Sequence, residues 1–276
     1  MSHPGAASAP GSTDHAEDLA LALELADVAD GITAARFQAG DLRVDRKPDR
    51  TPVTDADTAA EDAMRRLLER RRPGDAVLGE ERGGSGVPGR GWLLDPIDGT
   101  KNFSRGMPVW ATLIALAVDG RPVVGVVSAP ALGRRWWASA GDGAHASNPD
   151  GSVRRISVSG VGALEDACLS TTELSTWAEL DALPRYLELS ARCWVTRAWG
   201  DFWQHVLVAE GSIDIAVDGE ANPWDLAAVQ VVVTEAGGRF SDLSGAERYD
   251  GGNGLSSNGA LHDAALAVLA GRDLPS

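Results

Sequence analysis

Four acidic residues stand where folding alone does not call for an acid. Asp95 and Asp98 lie in Asp95-Pro96-Ile97-Asp98-Gly99-Thr100, directly after the apolar run Trp92-Leu93-Leu94. Glu80 follows the apolar run Ala76-Val77-Leu78, and Asp225 opens the otherwise apolar stretch 224–236. Pro96 keeps Asp95 out of helical geometry, and Gly99 permits a tight turn. Thr100 can then open a helix whose first N–H groups face outward, which is a ready anion site. One short loop thus offers carboxylates to a cation and N–H groups to a phosphate. Each acid taken singly has a plainer reading. Asp-Pro and Asp-Gly are turn formers, Asp225 is a favourable charge at a helix N-terminus, and Glu80 is a solvated loop acid.

The combination points further. All four acids stand at strand ends or helix starts, which in an open α/β sheet converge on one crevice. Two carboxylates in contact repel by about 4 kcal/mol at an effective dielectric near 20, so the cluster needs protons or cations. All-oxygen donors suit Mg²⁺, Mn²⁺ or Ca²⁺ rather than zinc. Two or three such divalent ions would make the site positive and admit a phosphate dianion, the two-metal logic of ester hydrolysis.

Local cations matter because the chain as a whole is strongly acidic. Its 276 residues carry 25 Lys and Arg against 40 Asp and Glu, a net charge of −15. Such a surface repels nucleic acid and anionic membranes, so the expected partner is a small-molecule phosphate ester, with neither nucleic acid nor membrane. No apolar stretch approaches the roughly 20 residues of a membrane span. The stretch 1–18 lacks the basic start and apolar core of a secretory signal, and a cytoplasmic location is expected. The two cysteines, Cys168 and Cys193, lack metal or redox spacing.

The elements that must hold these acids read as follows. Residues 1–14 form a disordered arm. Amphipathic helices are expected over 15–37 and 57–71, with Thr54-Asp55-Ala56-Asp57 as an N-cap, and a hairpin or loop over 42–54. Strands are expected at 76–78, 92–94, 112–118, 123–128 and 135–138, and a loop over 141–155. The second half alternates strands (167–170, 193–197, 213–217, 239–242) with helices (180–192, 201–209, 224–236, 260–270). Such alternation argues α/β. A composition break near residue 150 divides the chain into two closely packed halves. The first, 15–150, is an α+β half with the metal site; the second, 151–276, is an α/β half that contributes Asp225 and the substrate pocket. The stretch 84–89 matches GxGxxG formally but follows an acidic loop rather than a strand, and reads as a loop.

Gly79-Glu80-Glu81, Asp95-Pro96-Ile97-Asp98-Gly99-Thr100 and Trp224-Asp225-Leu226-Ala227-Ala228 resemble, in order and spacing, the signatures of the inositol monophosphatase family of Mg²⁺-dependent, lithium-sensitive phosphatases. The likeness runs from about the first helix to the last. It implies a layered αβαβα sandwich, usually dimeric, and hence a homodimer here. Carried over by position, it makes Glu80, Asp95, Asp98, Asp225 and the Ile97 carbonyl metal ligands. Thr100 with Glu80 would orient the attacking water, Asp57 would support the water around the metal, and the amides of Gly99 and Thr100 would hold the phosphate. Lys47 or Arg46 would match the family's lysine near the phosphate.

Substrate choice falls to the second half. In Arg197-Ala198-Trp199-Gly200-Asp201-Phe202-Trp203-Gln204-His205, Asp201 stands where inositol-type members carry a small residue, and the segment resembles the histidinol-phosphatase branch of the family. Asp218 matches the family's substrate-contacting acid, and Glu220 lies nearby. Arg197, Trp199 and Trp203 are further candidates, the tryptophans for stacking. An acidic, aromatic pocket suits a cation bearing a ring better than a neutral polyol, so histidinol phosphate is the expected substrate and inositol 1-phosphate the alternative. Asp201 reads equally as a helix cap, and the tryptophans as core. Two other readings are a metal-binding regulatory protein on the same fold and a nucleotide 3′-phosphatase. The first sits poorly with an intact ligand set, the second with an acidic 197–225 segment.

Overall fold

The run Trp92-Leu93-Leu94 shows no polar alternation, as a strand covered on both faces requires, and the architecture is built around it. The computed structural model describes residues 15–48, 50–84, 86–87 and 89–272; the expected disordered arm, 1–14, lies outside the described residues. Helix α1 (Ala16–Arg36) leads through the antiparallel hairpin β1 (Val44–Arg46) and β2 (Pro52–Thr54) into helix α2 (Asp55–Arg71). Strands β3 (Ala76–Gly79), β4 (Arg90–Asp98), β5 (Ala111–Val118), β6 (Arg121–Ala129), β7 (Arg134–Ser139), β8 (Gly143–Ser147) and β9 (Val153–Ile156) follow, with the short helix α3 (Thr100–Ser104) between β4 and β5. They form one sheet in sequence order, β3 parallel to β4 and the rest antiparallel.

The remaining chain gives β10 (Cys168–Thr171), α4 (Leu174–Glu179), α5 (Leu183–Arg192), β11 (Val195–Arg197), α6 (Asp201–Ala209), β12 (Ile215–Asp218), α7 (Pro223–Glu235), β13 (Arg239–Ser241), β14 (Gly254–Ser257) and α8 (His262–Leu269). The second sheet has the order β11-β10-β12-β14-β13, the first three parallel and β14 antiparallel to both its neighbours, β12 and β13.

Packing turns these elements into five layers. Leu21 and Leu25 of α1 and Met64 and Leu68 of α2 bury one face of the first sheet through Trp92, Leu94 and Ile114. On its other face lie α6 and α7, whose Phe202, Val229 and Val232 share a cluster with Leu93, Leu113 and Val127. The second sheet covers this middle layer and is closed from outside by Trp177, Tyr186 and Leu266 on Leu169, Ile215 and Leu255. This is the expected αβαβα sandwich. Helix α7 is apolar almost all round because sheets cover it on both sides, and its one acid near the start, Asp225, is delivered to the seam.

Local chemistry sets the ends of the elements. Thr54 caps α2, its Oγ1 accepting the Ala56 N–H at 3.2 Å while Asp57 Oδ2 accepts the Thr54 N–H at 2.8 Å, a reciprocal capping box. Two expectations need correction. The stretch 141–155 is not a loop: β8 and β9 lie there. The small residues of β8 have little strand propensity of their own, but Ala144 and Ala146 pair with Ala138 and Trp136 and are buried in the cluster shared with α7. The helix expected over 180–192 starts at Leu183, because Asp181 takes a left-handed φ of +54° and breaks the chain between α4 and α5. Strand β14 is serine-rich and is held by β12 and β13, which pair with it on both sides.

Gly125 of β6 fixes how closely α7 approaches the sheet. A Cβ there would stand 2.4 Å from the Ala228 carbonyl oxygen and 3.0 Å from Val231 Cβ. Gly125→Ala is therefore expected to destabilise the protein by about 1–3 kcal/mol, read as a lower urea midpoint; an unmoved midpoint would mean that α7 has room to retreat.

Candidate active site

The carboxyl ends of β3 and β4 face those of β10 and β12, and the N-termini of α3, α6 and α7 point into the same gap. The gap is a cleft of about 470 Å³. Asp95, Asp98 and Asp225 each place an oxygen within 4.8 Å of the others, and Glu80 lines the cleft beside them. Asp95 Oδ1 accepts the Ile97 N–H at 2.9 Å, folding the chain back around Pro96. The β4–β5 register slips between Asp95 and Asp98, and such an irregularity re-aims side chains. Gly99 then takes φ +82° and α3 begins. That five-residue helix is held from below by Phe103, packed edge-on against Trp110 at 4.9 Å and against Phe37 at 5.5 Å. Asp98 reaches across the seam, its Oδ2 accepting the Phe202 N–H in the first turn of α6 at 2.6 Å. Asp225 Oδ2 accepts the Asn222 N–H at the start of its own helix at 2.7 Å, so its capping role and its place in the cluster coexist.

Burial first, then the neighbouring acids, raises the carboxyls of Asp95 and Asp98 well above the usual carboxylate range. Burial and Glu80 push Asp225 up to about 7, although the Asn222 N–H opposes them. Such crowding of buried carboxyls is relieved by a proton or a cation. Clustered carboxylate oxygens with no nitrogen or sulfur donor fit a hard divalent cation.

Thr100 and Asp57 form a chain behind the loop. Thr100 Oγ1 lies 2.8 Å from the Ile97 carbonyl oxygen and 3.3 Å from Asp57 Oδ1. Asp57 is fully buried, does not line the cleft, and is raised to about 6 by burial. Of the two basic candidates, Lys47 faces the acids: its Nζ lies 2.8 Å from both Glu80 Oε1 and Glu81 Oε1. Arg46 is on the exposed hairpin strand β1.

The substrate candidates divide. Asp201, Asp218 and Glu220 line the cleft. Asp201 makes no side-chain cap bond to α6; its Oδ2 lies 3.4 Å from Asn102 Nδ2, and its carboxyl is pushed up to about 6 by burial and by Asp218. Asp218 Oδ1 accepts from Thr172 Oγ1 at 2.5 Å and Gln204 Nε2 at 2.8 Å, and Oδ2 lies 2.7 Å from His205 Nε2. Arg197, Trp199 and Trp203 do not line the cleft. The Arg197 guanidinium turns back to the Thr196 carbonyl oxygen, Trp199 is exposed at the surface, and Trp203 packs edge-on against Trp136 at 5.9 Å. Thr172, Glu173 and Glu179 line the cleft unanticipated. The rule that ligands gather beyond the carboxyl ends of parallel strands would have reached Thr172 and Glu173, which directly follow β10.

A family model described as the inositol monophosphatase family matches residues 14–271. The chain belongs to the inositol monophosphatase family. Within that family it is 56% identical to the histidinol-phosphatase of Mycobacterium tuberculosis over 254 residues, 92% of this chain and 98% of that one. It is 52% identical to the histidinol-phosphatase of Streptomyces coelicolor, over 93% and 98% of the two chains. Among solved structures, an inositol monophosphatase from Zymomonas mobilis superposes with a TM-score of 0.80 at 33% identity, covering 94% of this chain and 99% of that one. As a member of this metal-dependent family the protein is a phosphoric monoester hydrolase.

In this inositol monophosphatase family member the raised acids have a thermodynamic signature. A carboxyl whose folded pKa lies above its unfolded value gives stability that is present below the unfolded pKa and lost as pH rises through the folded one. For Asp225 that window runs from its ordinary value of 3.8 to about 7. Metal-stripped protein is thus expected to melt at progressively lower temperature between about pH 4 and pH 7, with Asp225→Asn flattening the slope. Melting curves of chelator-treated protein check this; a slope that Asp225→Asn leaves unchanged would contradict it.

Proposed function

We propose that this chain hydrolyses histidinol phosphate to histidinol and inorganic phosphate, as a cytoplasmic homodimeric enzyme of histidine biosynthesis. The observation that carries the reading is its identity to the histidinol-phosphatase of Mycobacterium tuberculosis over almost the whole of both chains. The cleft chemistry supports it. Beyond the metal-facing acids, Asp201, Glu179 and Glu220 line the same cleft, where Lys101 offsets Glu173 by an ion pair; the surplus of acids favours a substrate carrying an ammonium group over a neutral polyol.

The residues that would hold Mg²⁺ are Glu80, Asp95, Asp98, Asp225 and the Ile97 carbonyl. When bound, the cation supplies charge neutralisation of the phosphate and a water activated near neutral pH. The chain's own groups do the rest. Gly99 and Thr100 offer the N–H groups of the α3 N-terminus to the phosphate oxygens. The Thr100 hydroxyl, fixed between Ile97 and Asp57, orients water together with Glu80. Lys47 holds Glu80 in place by its ion pair and adds a positive charge beside the phosphate. Asp201 and Asp218 receive the amino end of the substrate. No role in this chemistry is assigned to Arg197, Trp199 or Trp203.

Phosphate release from histidinol phosphate and from inositol 1-phosphate, with and without Mg²⁺, tests the reading; equal turnover of both would overturn the substrate assignment. Asp98→Asn keeps an acceptor for the Phe202 N–H but loses a charged ligand, and is expected to lower kcat/KM by about a thousandfold or more, several kcal/mol. Asp201→Ser is expected to raise KM for histidinol phosphate about tenfold, as loss of a charged partner does, and to leave that for inositol 1-phosphate nearly unchanged. Equal effects on both would reduce Asp201 to a packing role.

A further inference from the structure

Thr172 directly follows β10, and Asp218 ends the adjacent parallel strand β12, one step past the Thr171–Val217 pair. The two residues therefore leave the carboxyl edge of the second sheet side by side. Thr172 Oγ1 donates to Asp218 Oδ1 at 2.5 Å and accepts the Asp201 N–H at 2.9 Å. Gln204 Nε2 lies 3.2 Å from the same oxygen and 2.8 Å from Asp218 Oδ1. A threonine hydroxyl has one hydrogen and two lone pairs, and all are in use. This single oxygen ties the backbone of one cleft acid to the carboxylate of the other.

A second observation shows that the tie is needed. Asp201 has φ +47°, in the left-handed region, which a residue other than glycine keeps only where its surroundings impose it. The preceding Gly200 has φ +70° and lies against Thr172: a Cβ at Gly200 would meet Thr172 Cα at 3.2 Å and Cγ2 at 3.4 Å. Thr172 thus supports this turn by contact and by hydrogen bond. The turn aims the Asp201 carboxylate across the seam, where Oδ2 lies 3.3 Å from the position a Cβ on Gly99 would take. On the opposite side of Asp218, His205 is braced by Ser256, with Nδ1 to Oγ at 2.7 Å. Thr172 itself is half-buried and lines the cleft.

We propose that Thr172 is a specificity-determining positioning residue, holding Asp201 and Asp218 at the spacing that selects a phosphate ester bearing an ammonium group over a neutral polyol phosphate. The proposal rests on the substrate reading given above. Thr172→Val removes the hydroxyl at constant volume, and Thr172→Ser keeps it. Both variants and the wild type are assayed for KM and kcat on histidinol phosphate and on inositol 1-phosphate with Mg²⁺, and the exchange rate of the Asp201 amide is measured by NMR. For Thr172→Val, KM for histidinol phosphate is expected to rise about tenfold, the scale of a lost hydrogen bond to a charged group, with kcat within about threefold and KM for inositol 1-phosphate within about twofold. Thr172→Ser is expected to track the wild type, and the Asp201 amide to exchange faster only in the valine variant. Equal KM shifts for both esters, no shift, or a serine variant that behaves like valine would overturn the proposal. If the valine variant does not fold, Thr172→Ala takes its place under the same criteria. A wild type indifferent between the two esters would remove the substrate reading and with it the selectivity claim; the amide exchange then decides the positioning role alone.

Discussion

Carboxylates that repel one another have to be gathered at a seam between two sheets, and most of the architecture serves that requirement. Asp95 and Asp98 come from the end of β4 and Asp225 from the start of α7, yet they place oxygens within 4.8 Å of each other. Such an arrangement is unfavourable until protons or cations compensate it. The fold supplies the opposing stabilisation through apolar burial. Helix α7 is enclosed between the sheets, and Gly125 lets its backbone settle onto β6. The fixed position of α7 is what keeps Asp225 opposite β4.

The seam is held by polar contacts as well. Asp98 belongs to the first sheet but accepts an N–H from α6 of the middle layer, so an acid of the carboxylate cluster caps the helix that begins with the cleft-lining Asp201. Lys47, on the turn after β1, pairs with Glu80 and Glu81 from beyond the sheet edge. With a net charge of −15, the chain has no general attraction for a phosphate ester, and the attraction has to be made locally, from cations, helix N-termini and the lysines Lys47 and Lys101.

Much of this was legible in the sequence wherever local and long-range forces agree. The capping box at Thr54 and Asp57, the Pro96–Gly99 turn and the uniformly apolar α7 each state locally what the tertiary structure requires. The acids of the cluster were visible because an acid at the end of an apolar run conflicts with its surroundings. Legibility failed where tertiary contact overrides weak local preference. The alanines of β8 and the serines of β14 become strands only because neighbours pair with them. Missing α4 concealed Glu179, and Thr172 carries no chemical signal alone; its importance comes from which two acids its hydroxyl joins. Of the two readings open for Trp203, stacking and packing, its edge-on contact with Trp136 favours packing.

The two groups of cleft residues come from different stretches of the chain. The proposed cation-holding acids lie on the loops after β3 and β4 and at the head of α7, while the substrate-facing ones lie after β10, at the head of α6 and at the end of β12. On the proposed assignment, the second group selects the alcohol and the first holds the cation, the two being joined where Asp98 accepts the Phe202 N–H. On that assignment the alcohol and the phosphate are recognised by separate parts of one cleft, so accepting a different alcohol does not require the cation-holding acids to be rebuilt.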